Sequence, residues 1–548
     1  MTFIFCDAMG WIDELEIDEA LDDVIKNQRT GNDFILDPFR FEDFKNAEIK
    51  KLFIEEIKAE LGTYTAQKLL FIDYPKSNFI LRPCARPVLK DLIIYQAIVK
   101  FTGSKIYRKI PKDISYSFNK FKEKFKKDKK RDIDHWLAFE ERTLQFSKQY
   151  DYLLTSDIAS FFEHICHDVL KERLLLLNTS DNYSNAVNFL VNKLLCKWSQ
   201  TENIRNFSLP QGPDASRILA DVYLYPVDKK MKSNRKINYY RYMDDIRLFA
   251  NTKHDLKLAL IDLVKELREL KLNLNAKKTK IYETKDMESL KSVIDSHKTT
   301  LNLIDNAFKS KQEGEIKLVY DSLFEIYEMA KEDNVAFSER YMNFFISHAV
   351  DLMKFEMINK SVVRALCNEF MAMLENKPHI TNKLCWFFQA ATQYDKMQRE
   401  FILKKLIEFL KDKKKNLYEW QELMILDTVR QLLKKGDLKF IKHIRKLKPK
   451  HFLAECQKRL ILGREGESDD IEQIIDAMKI LSLNDEQRRN AAVAIQGLHK
   501  SHKDKIYDEY INKTYTKKFL KSLNGKYFGY VYKLQKDWAE EVVDTYPL

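Results

Sequence analysis

The chain has 548 residues, 45% of them hydrophobic, and carries a formal net charge of +12 from 94 basic against 82 acidic residues. That length spans roughly two to four domains, and that apolar share excludes a disordered chain. The mild basicity suits a polyanionic partner, although a lysine-rich surface is also ordinary for a soluble protein. Only 12 glycines and 11 prolines punctuate the chain, so long stretches are free to be helical. Seven cysteines, an odd number with no C-x-x-C pair, read as a reducing compartment without disulfides. No run of about 18 apolar residues appears, so no transmembrane helix is expected. The start, Met1 to Asp7, has an apolar patch but no basic region and soon turns acidic. It reads as mature cytosolic sequence rather than a signal peptide.

Residues 1–150 mix helical periodicity with short β-like runs. Residues 151–290 alternate strands and helices. The apolar run Tyr152-Leu153-Leu154 leads to Asp157, and a helix is expected from Asp168 to Leu177. A single helix is expected from Asp214 to Met231, then a hairpin around Asp244, then a helix from Asp255 to Leu270. From residue 291 the β signals nearly vanish. In Ile402 to Leu410 the apolar residues recur at steps of three and four. Trp420, Leu423, Met424, Val429, Leu432 and Leu433 make a broad apolar face, and Gly436 follows as a helix stop. Segments 437–448, 450–462, 469–482 and 485–499 read as helices, with Gly463 and Gly466 in one joint and Asn484-Asp485 ending one helix and capping the next. The expectation is an α+β domain over 1–290, followed over 291–548 by an all-α domain of stacked helix pairs, HEAT-like.

The stretch Tyr239 to Phe249 carries the strongest chemical signal. Asp244 and Asp245 stand side by side between two apolar, β-prone runs. Like charges this close repel, and a divalent cation removes the repulsion, so the pair suggests metal binding. Asp157, at the end of its own strand, supplies a third carboxylate. Nucleotidyl transfer on two metal ions needs carboxylates from separate elements that converge in this way. Alone, Asp157 would read as a surface aspartate before a helix. Leu209-Pro210-Gln211-Gly212 is a turn before a helix, with Gly212 allowing close backbone approach to a ligand. In Asn275-Ala276-Lys277-Lys278-Thr279, Lys278 is preferred over Lys277 as a phosphate or proton group, against the commoner fate of a solvated lysine. Upstream, Arg82 can grip a triphosphate bidentately, with Lys76 helping.

In order along 76–282, these blocks resemble the motifs of reverse transcriptases: the Arg82-Pro83…Pro87…Asp91 block, Asp157-Ile158-x-x-Phe161-Phe162, Leu209-Pro210-Gln211-Gly212-x-x-x-Ser216, Tyr242-Met243-Asp244-Asp245 and Asn275-x-x-Lys278-Thr279. The resemblance implies a fingers–palm domain, with Asp157, Asp244 and Asp245 as ligands of two Mg²⁺ ions, or Mn²⁺ in their place, assisted by the Ile158 carbonyl. It implies that Lys278 is the acid, and that Lys76, Arg82, Phe162, Gln211, Gly212 and Tyr242 line the nucleotide site. An aromatic at Phe162, with Tyr-Met before the aspartates, implies selection of dNTPs. The plainer reading of Phe162 is a packed core aromatic.

The helical half, in place of any paired Cys/His finger or second acidic set, is similar to abortive-infection and other defence-associated reverse transcriptases of bacteria. That resemblance implies a cytoplasmic antiphage enzyme, a homo-oligomer, DNA made without an added template, and a DNA product attached to the protein itself. The alternatives kept open are a conventional enzyme copying a bound RNA and a catalytically inactive scaffold that binds nucleic acid. Two further signals are weighed lower. His164, Cys166 and His167 lack a second ligand pair for zinc. The basic run Lys122 to Arg131, with Phe121 and Phe125, reads equally as a nucleic-acid contact or a solvated face, as do Lys411 to Lys415 and Lys442 to Lys450.

Overall fold

The computed structural model describes residues 10–30, 34–110, 114–117, 132–201, 206–332, 337–434, 436–479, 485–511, 517–518 and 520–521. The basic run 122–131 lies outside them. Two sheets form. β1 (Leu70–Pro75) and β2 (Leu81–Arg86) make an antiparallel hairpin. A four-stranded sheet has the order β4-β5-β3-β6, from β3 (Tyr152–Asp157), β4 (Asn238–Tyr242), β5 (Asp245–Ala250) and β6 (Lys280–Glu283).

The period of two in a strand sends successive side chains to opposite faces. Leu153, Tyr240 and Phe249 therefore join Phe139 and Phe146 of the Asp132–Ser147 helix in a small aromatic-rich cluster. Leu154, Ile246 and Leu248 point the other way, into the main core, with Leu256, Ala259 and Leu263 of the Lys253–Glu269 helix. The Leu89–Ile106 helix is apolar almost all round and is buried almost all round.

Some expected elements differ in detail. The single helix expected over 214–231 is two, Asp214–Tyr223 and Tyr225–Ser233, with Pro226 in the first turn of the second. Proline lacks the N–H that a continuous helix would need there. Gly463 is not in a joint but inside the Phe452–Glu465 helix. A Cβ there would stand 1.9 Å from the Ala494 carbonyl oxygen, so glycine is what lets this helix touch the Asp485–Ala494 helix. Gly436, at φ 89°, lies just beyond the Glu419–Leu432 helix.

Beyond β6 the described residues are helical or in turns. One row of helices runs Ser338–Lys354, Thr381–Tyr394, Glu419–Leu432, Phe452–Glu465 and Asp485–Ala494, each packed on the next. A second layer is made of Lys360–Asn376, Gln398–Lys411, Leu438–Arg445 and Ser468–Met478. This array begins against the four-stranded domain and ends against the hairpin. At its start Arg340 pairs with Glu140 at 3.0 Å, and Tyr341 donates to Asp295 at 2.6 Å. Farther along, Arg40 meets Asp427 at 3.1 Å, the His451 ring nitrogen Nε2 lies 2.7 Å from the Phe71 carbonyl, and Arg489 meets Asp37 at 3.0 Å. Trp420 packs on Tyr74 of β1 with centroids 4.6 Å apart. Cys84, Cys166, Cys196, Cys367, Cys385 and Cys456 are free. Among the described residues no helix is long and apolar enough to cross a membrane.

Candidate active site

β3 and β5 pair so that Asp157 lies directly opposite Asp245. Facing residues of an antiparallel pair have Cα atoms about 4.5–5.5 Å apart. Asp244 is in the two-residue turn between β4 and β5, and its carbonyl accepts from the Ile158 N–H at 3.3 Å. The register alone thus gathers three carboxylates from two strands and a turn. Burial pushes the Asp244 carboxyl up to about 7, with Asp157 and then Asp245 adding repulsion. Burial also raises Asp245, with Asp157 adding to it and Arg247 opposing. Among the described residues no three His, Cys, Asp or Glu groups converge closely enough to hold a metal ion as they stand. The strand pairing sets the main chains of Asp157 and Asp245, and the turn that of Asp244.

The Asn275 block docks beneath Asp157. The Asn275 N–H donates to the Asp157 carbonyl at 2.7 Å, and the Ala159 N–H donates to the Asn273 carbonyl at 2.9 Å. Thr279 Oγ1 lies 2.8 Å from Ser156 Oγ. These bonds bring Lys278 Nζ to 3.2 Å from Asp157 Oδ2, while most of its side chain stays exposed. The Lys277 N–H is instead taken by Asn275 Oδ1 at 3.2 Å.

The hairpin reaches over the same place. Desolvation lowers the Lys76 ammonium, Arg82 and Lys278 repel it further, and Glu163 and Asp157 oppose the shift, so Lys76 is within electrostatic reach of these groups. The Pro210-Gln211-Gly212 turn ties the hairpin to the four-stranded domain, because the Ala85 N–H donates to the Gln211 carbonyl at 3.3 Å. Gln211 Nε2 points to Glu163 at 3.4 Å. Gly212 has φ 140°, which a side chain would strain, and its open face looks at Ala85 and Phe34. Ser216 Oγ lies 3.0 Å from the Tyr95 hydroxyl. Phe162 is half-buried against the main core, with its carbonyl accepting from the Leu209 N–H at 2.9 Å. Tyr242 sits edge-on to Trp136 with centroids 5.0 Å apart, in the small aromatic cluster. The structure therefore gathers Asp157, Ile158, Asp244, Asp245 and Lys278 around one place, with Lys76 in electrostatic reach of Asp157 and Lys278 and Arg82 beside Lys76 on the hairpin. Phe162, Gln211 and Gly212 form the adjoining turn, and Tyr242 is packed on an aromatic neighbour.

Sequence reasoning passed over the network behind the turn. Met243 has φ 56°, a costly conformation for a residue with a side chain. Its N–H donates to Ser117 Oγ at 3.2 Å and its carbonyl accepts from Arg241 Nη1 at 3.0 Å. Arg241 is fully buried between Asp221 at 2.6 Å and Asp228 at 2.8 Å. An arginine buried in an apolar strand needs partners, yet no local pattern points to Asp221 on one helix and Asp228 on the next. His167 is taken up by the Ser208 carbonyl at 2.7 Å, and Cys166 Sγ by Lys271 Nζ at 3.5 Å, so neither reads as a zinc ligand.

Residues 93–305 match the family profile described as Reverse transcriptase (RNA-dependent DNA polymerase). Those residues are a reverse transcriptase domain. They contain the four-stranded sheet, the Pro210-Gln211-Gly212 turn and the Asn275 block, and the domain is that of an RNA-directed DNA polymerase, a DNA nucleotidyltransferase. The β1–β2 hairpin, expected to belong to the fingers, precedes the match. No curated protein matches the chain. Among solved structures the chain is similar to telomerase from Candida albicans in complex with a TWJ fragment of telomeric RNA, at 10% identity over 67% of this chain and 69% of that one, TM-score 0.29. It is similar to telomerase from Candida tropicalis with the same kind of fragment, at 13% identity over 72% and 67%, TM-score 0.29. It is also similar to apo telomerase from Candida tropicalis, at 11% identity over 83% and 69%, TM-score 0.27. TM-scores this low carry no argument about function.

Proposed function

We propose that the chain makes DNA from dNTPs by nucleotidyl transfer at Asp157, Asp244 and Asp245. The observation that carries this reading is the register that sets Asp157 opposite Asp245, with Asp244 in the adjoining turn and Lys278 3.2 Å from Asp157. The donor set fits hard divalent cations. It offers carboxylate oxygens, and burial with mutual repulsion keeps Asp244 near 7 until a positive charge relieves it. Asp157, Asp244, Asp245 and the Ile158 carbonyl would hold Mg²⁺, or Mn²⁺ in its place. Such ions, when bound, make a primer hydroxyl more acidic and stabilise charge on the transferring phosphoryl group and on pyrophosphate.

The chain's own residues supply the rest. Lys76 and Arg82 bind the triphosphate from the fingers side, and Lys278 holds the proton for departing pyrophosphate. Phe162 restricts the space beside the sugar and so favours dNTPs. Gln211 and Gly212 set the template-side floor of the site.

The finer reading is an antiphage abortive-infection enzyme that primes on its own side chain and needs no added template. What supports it is architecture: an array of stacked helices follows the palm and packs back on the fingers. The test is incorporation of labelled dNTPs by the purified protein with Mg²⁺ and no template or primer, beside an Asp244→Asn/Asp245→Asn variant. Label that stays with the protein until DNase releases it, and that is lost in the variant, is the expected result. Signal only with a primed RNA template would replace the finer reading with conventional copying.

A further inference from the structure

Arg82 is partly buried near the tip of the hairpin. Its partner across the hairpin is Tyr74, so both side chains share one face of the sheet. The Tyr74 hydroxyl donates to the His379 carbonyl at 2.8 Å, and His379 Nε2 lies 3.8 Å from Glu339 Oε2. Glu339 is in the first turn of the Ser338–Lys354 helix. The next residue, Arg340, is fixed to Glu140 on the other side of the domain. The start of the helical array is therefore anchored at both ends, and it carries a carboxylate to the fingers face that Arg82 occupies.

We propose that Glu339, held beside the Arg82 face of the hairpin without pairing to it directly, lowers the affinity of that face for an incoming nucleoside triphosphate through its negative charge. The inference rests on reading Arg82 as a triphosphate ligand. Half of the Glu339 side chain is exposed. Desolvation nonetheless raises its carboxyl, against the opposing pull of Arg82 and Lys377. Arg82 and Glu339 also act in opposite senses on the Tyr74 phenol between them. A carboxylate held beside a triphosphate repels it, so Glu339 lowers nucleotide affinity in proportion to its charge. The helical array thereby sets how much dNTP the enzyme needs.

The test compares wild type, Glu339→Gln, Arg82→Ala and the double variant. Two readouts are used: KM for dNTP in incorporation, and affinity for a non-incorporable α,β-imido dNTP with Mg²⁺. Glu339→Gln keeps the size of the side chain at an exposed position, so the fold should hold. The expected result is a KM and a Kd lower by about threefold to tenfold with kcat little changed. On the Arg82→Ala background the same substitution should have no effect, because that face then no longer holds the triphosphate. An unchanged or raised Kd in Glu339→Gln, or an equal gain in both backgrounds, overturns the proposal. The binding readout decides it even when no incorporation occurs, an outcome that would instead count against DNA synthesis.

Discussion

Arg86 and Glu486, 400 residues apart in sequence, form a buried two-bond ion pair at 2.8 and 3.3 Å. Glu486 Oε1 also accepts from the Leu89 N–H at 2.5 Å. The end of the fingers hairpin and the start of its long buried helix are thus fastened to the last helix of the array's inner row. With Arg40–Asp427 and Arg489–Asp37, the segment before the Ala47–Glu60 helix is also tied to the array by buried charge pairs. A hairpin fixed in this way presents Lys76 and Arg82 in one position, which favours a cleft assembled before nucleotide arrives.

Breaking one half of such a pair leaves a buried charge alone. Arg86→Met should cost about 3–5 kcal/mol, and Arg86→Met/Glu486→Leu distinctly less, because the second change removes the stranded carboxylate. Hydrogen exchange should localise the loss to β1, β2 and the Asp485–Ala494 helix. Equal destabilisation by the single and double variants would show that the pair is not what couples the two.

The turn that carries the aspartates depends on Arg241 and Ser117. Ser117→Ala removes the acceptor of the Met243 N–H and should cost about 1 kcal/mol of stability. Its larger effect should be on kcat, lowered about tenfold or more with KM for dNTP nearly constant, since the aspartates shift while the fingers stay. Arg241→Lys should do the same more severely, because an ammonium cannot span Asp221, Asp228 and the Met243 carbonyl together. A rise in KM with unchanged kcat would place the effect elsewhere.

The chemistry was more legible than the scaffold that holds it. Asp157, Asp244, Asp245 and Lys278 could be read because strand-ending carboxylates and a lysine in a fixed block follow one another in order. Helices such as the Glu419–Leu432 segment could be read because their apolar residues recur at helical spacing. Long-range pairing could not. Nothing near Arg86 points to Glu486, and Arg241 finds Asp221 and Asp228 only once the sheet packs on its helices. Gly463 looked like a joint because its local sequence cannot announce a helix crossing at Ala494. The place of Glu339 beside the fingers depends on how the array curves back, which no local pattern encodes.

Asp244 makes the metal-free protein pH-sensitive. Its folded value of about 7 lies above the ordinary carboxyl value of 3.8. Between those values the folded state holds more protons than the unfolded state, so this group's contribution to stability falls as pH rises. Asp244→Asn removes that penalty. In chelator, the variant should be more stable than wild type by about 1–2 kcal/mol at pH 8, after allowance for water around these half-exposed carboxyls, and equal to it near pH 4. Denaturant unfolding across pH 4–8 measures this. The same variant should lose incorporation by about a thousandfold or more. A stability difference that does not change with pH would mean that Asp244 does not titrate in this range.

The two basic runs of the helical half meet at one edge. Lys450 Nζ donates to the Asn416 carbonyl and its N–H to Glu422, which joins the loop after the Gln398–Lys411 helix to the loop after the Leu438–Arg445 helix. Lys415 is paired with Glu375 at 2.9 Å, while Lys413, Lys414, Lys446 and Lys448 are exposed. The neighbouring His451 touches Phe71 in the fingers, so this edge adjoins the hairpin. If nucleic acid passes there, reversing those four lysines to glutamate should weaken oligonucleotide binding and reduce the slope of log K against log salt by about 2 to 3. The dNTP affinity of the site should be unaffected, since the substitutions lie on another surface. Anisotropy titrations at several salt concentrations give both quantities, and an unchanged slope would make these lysines a solvated face.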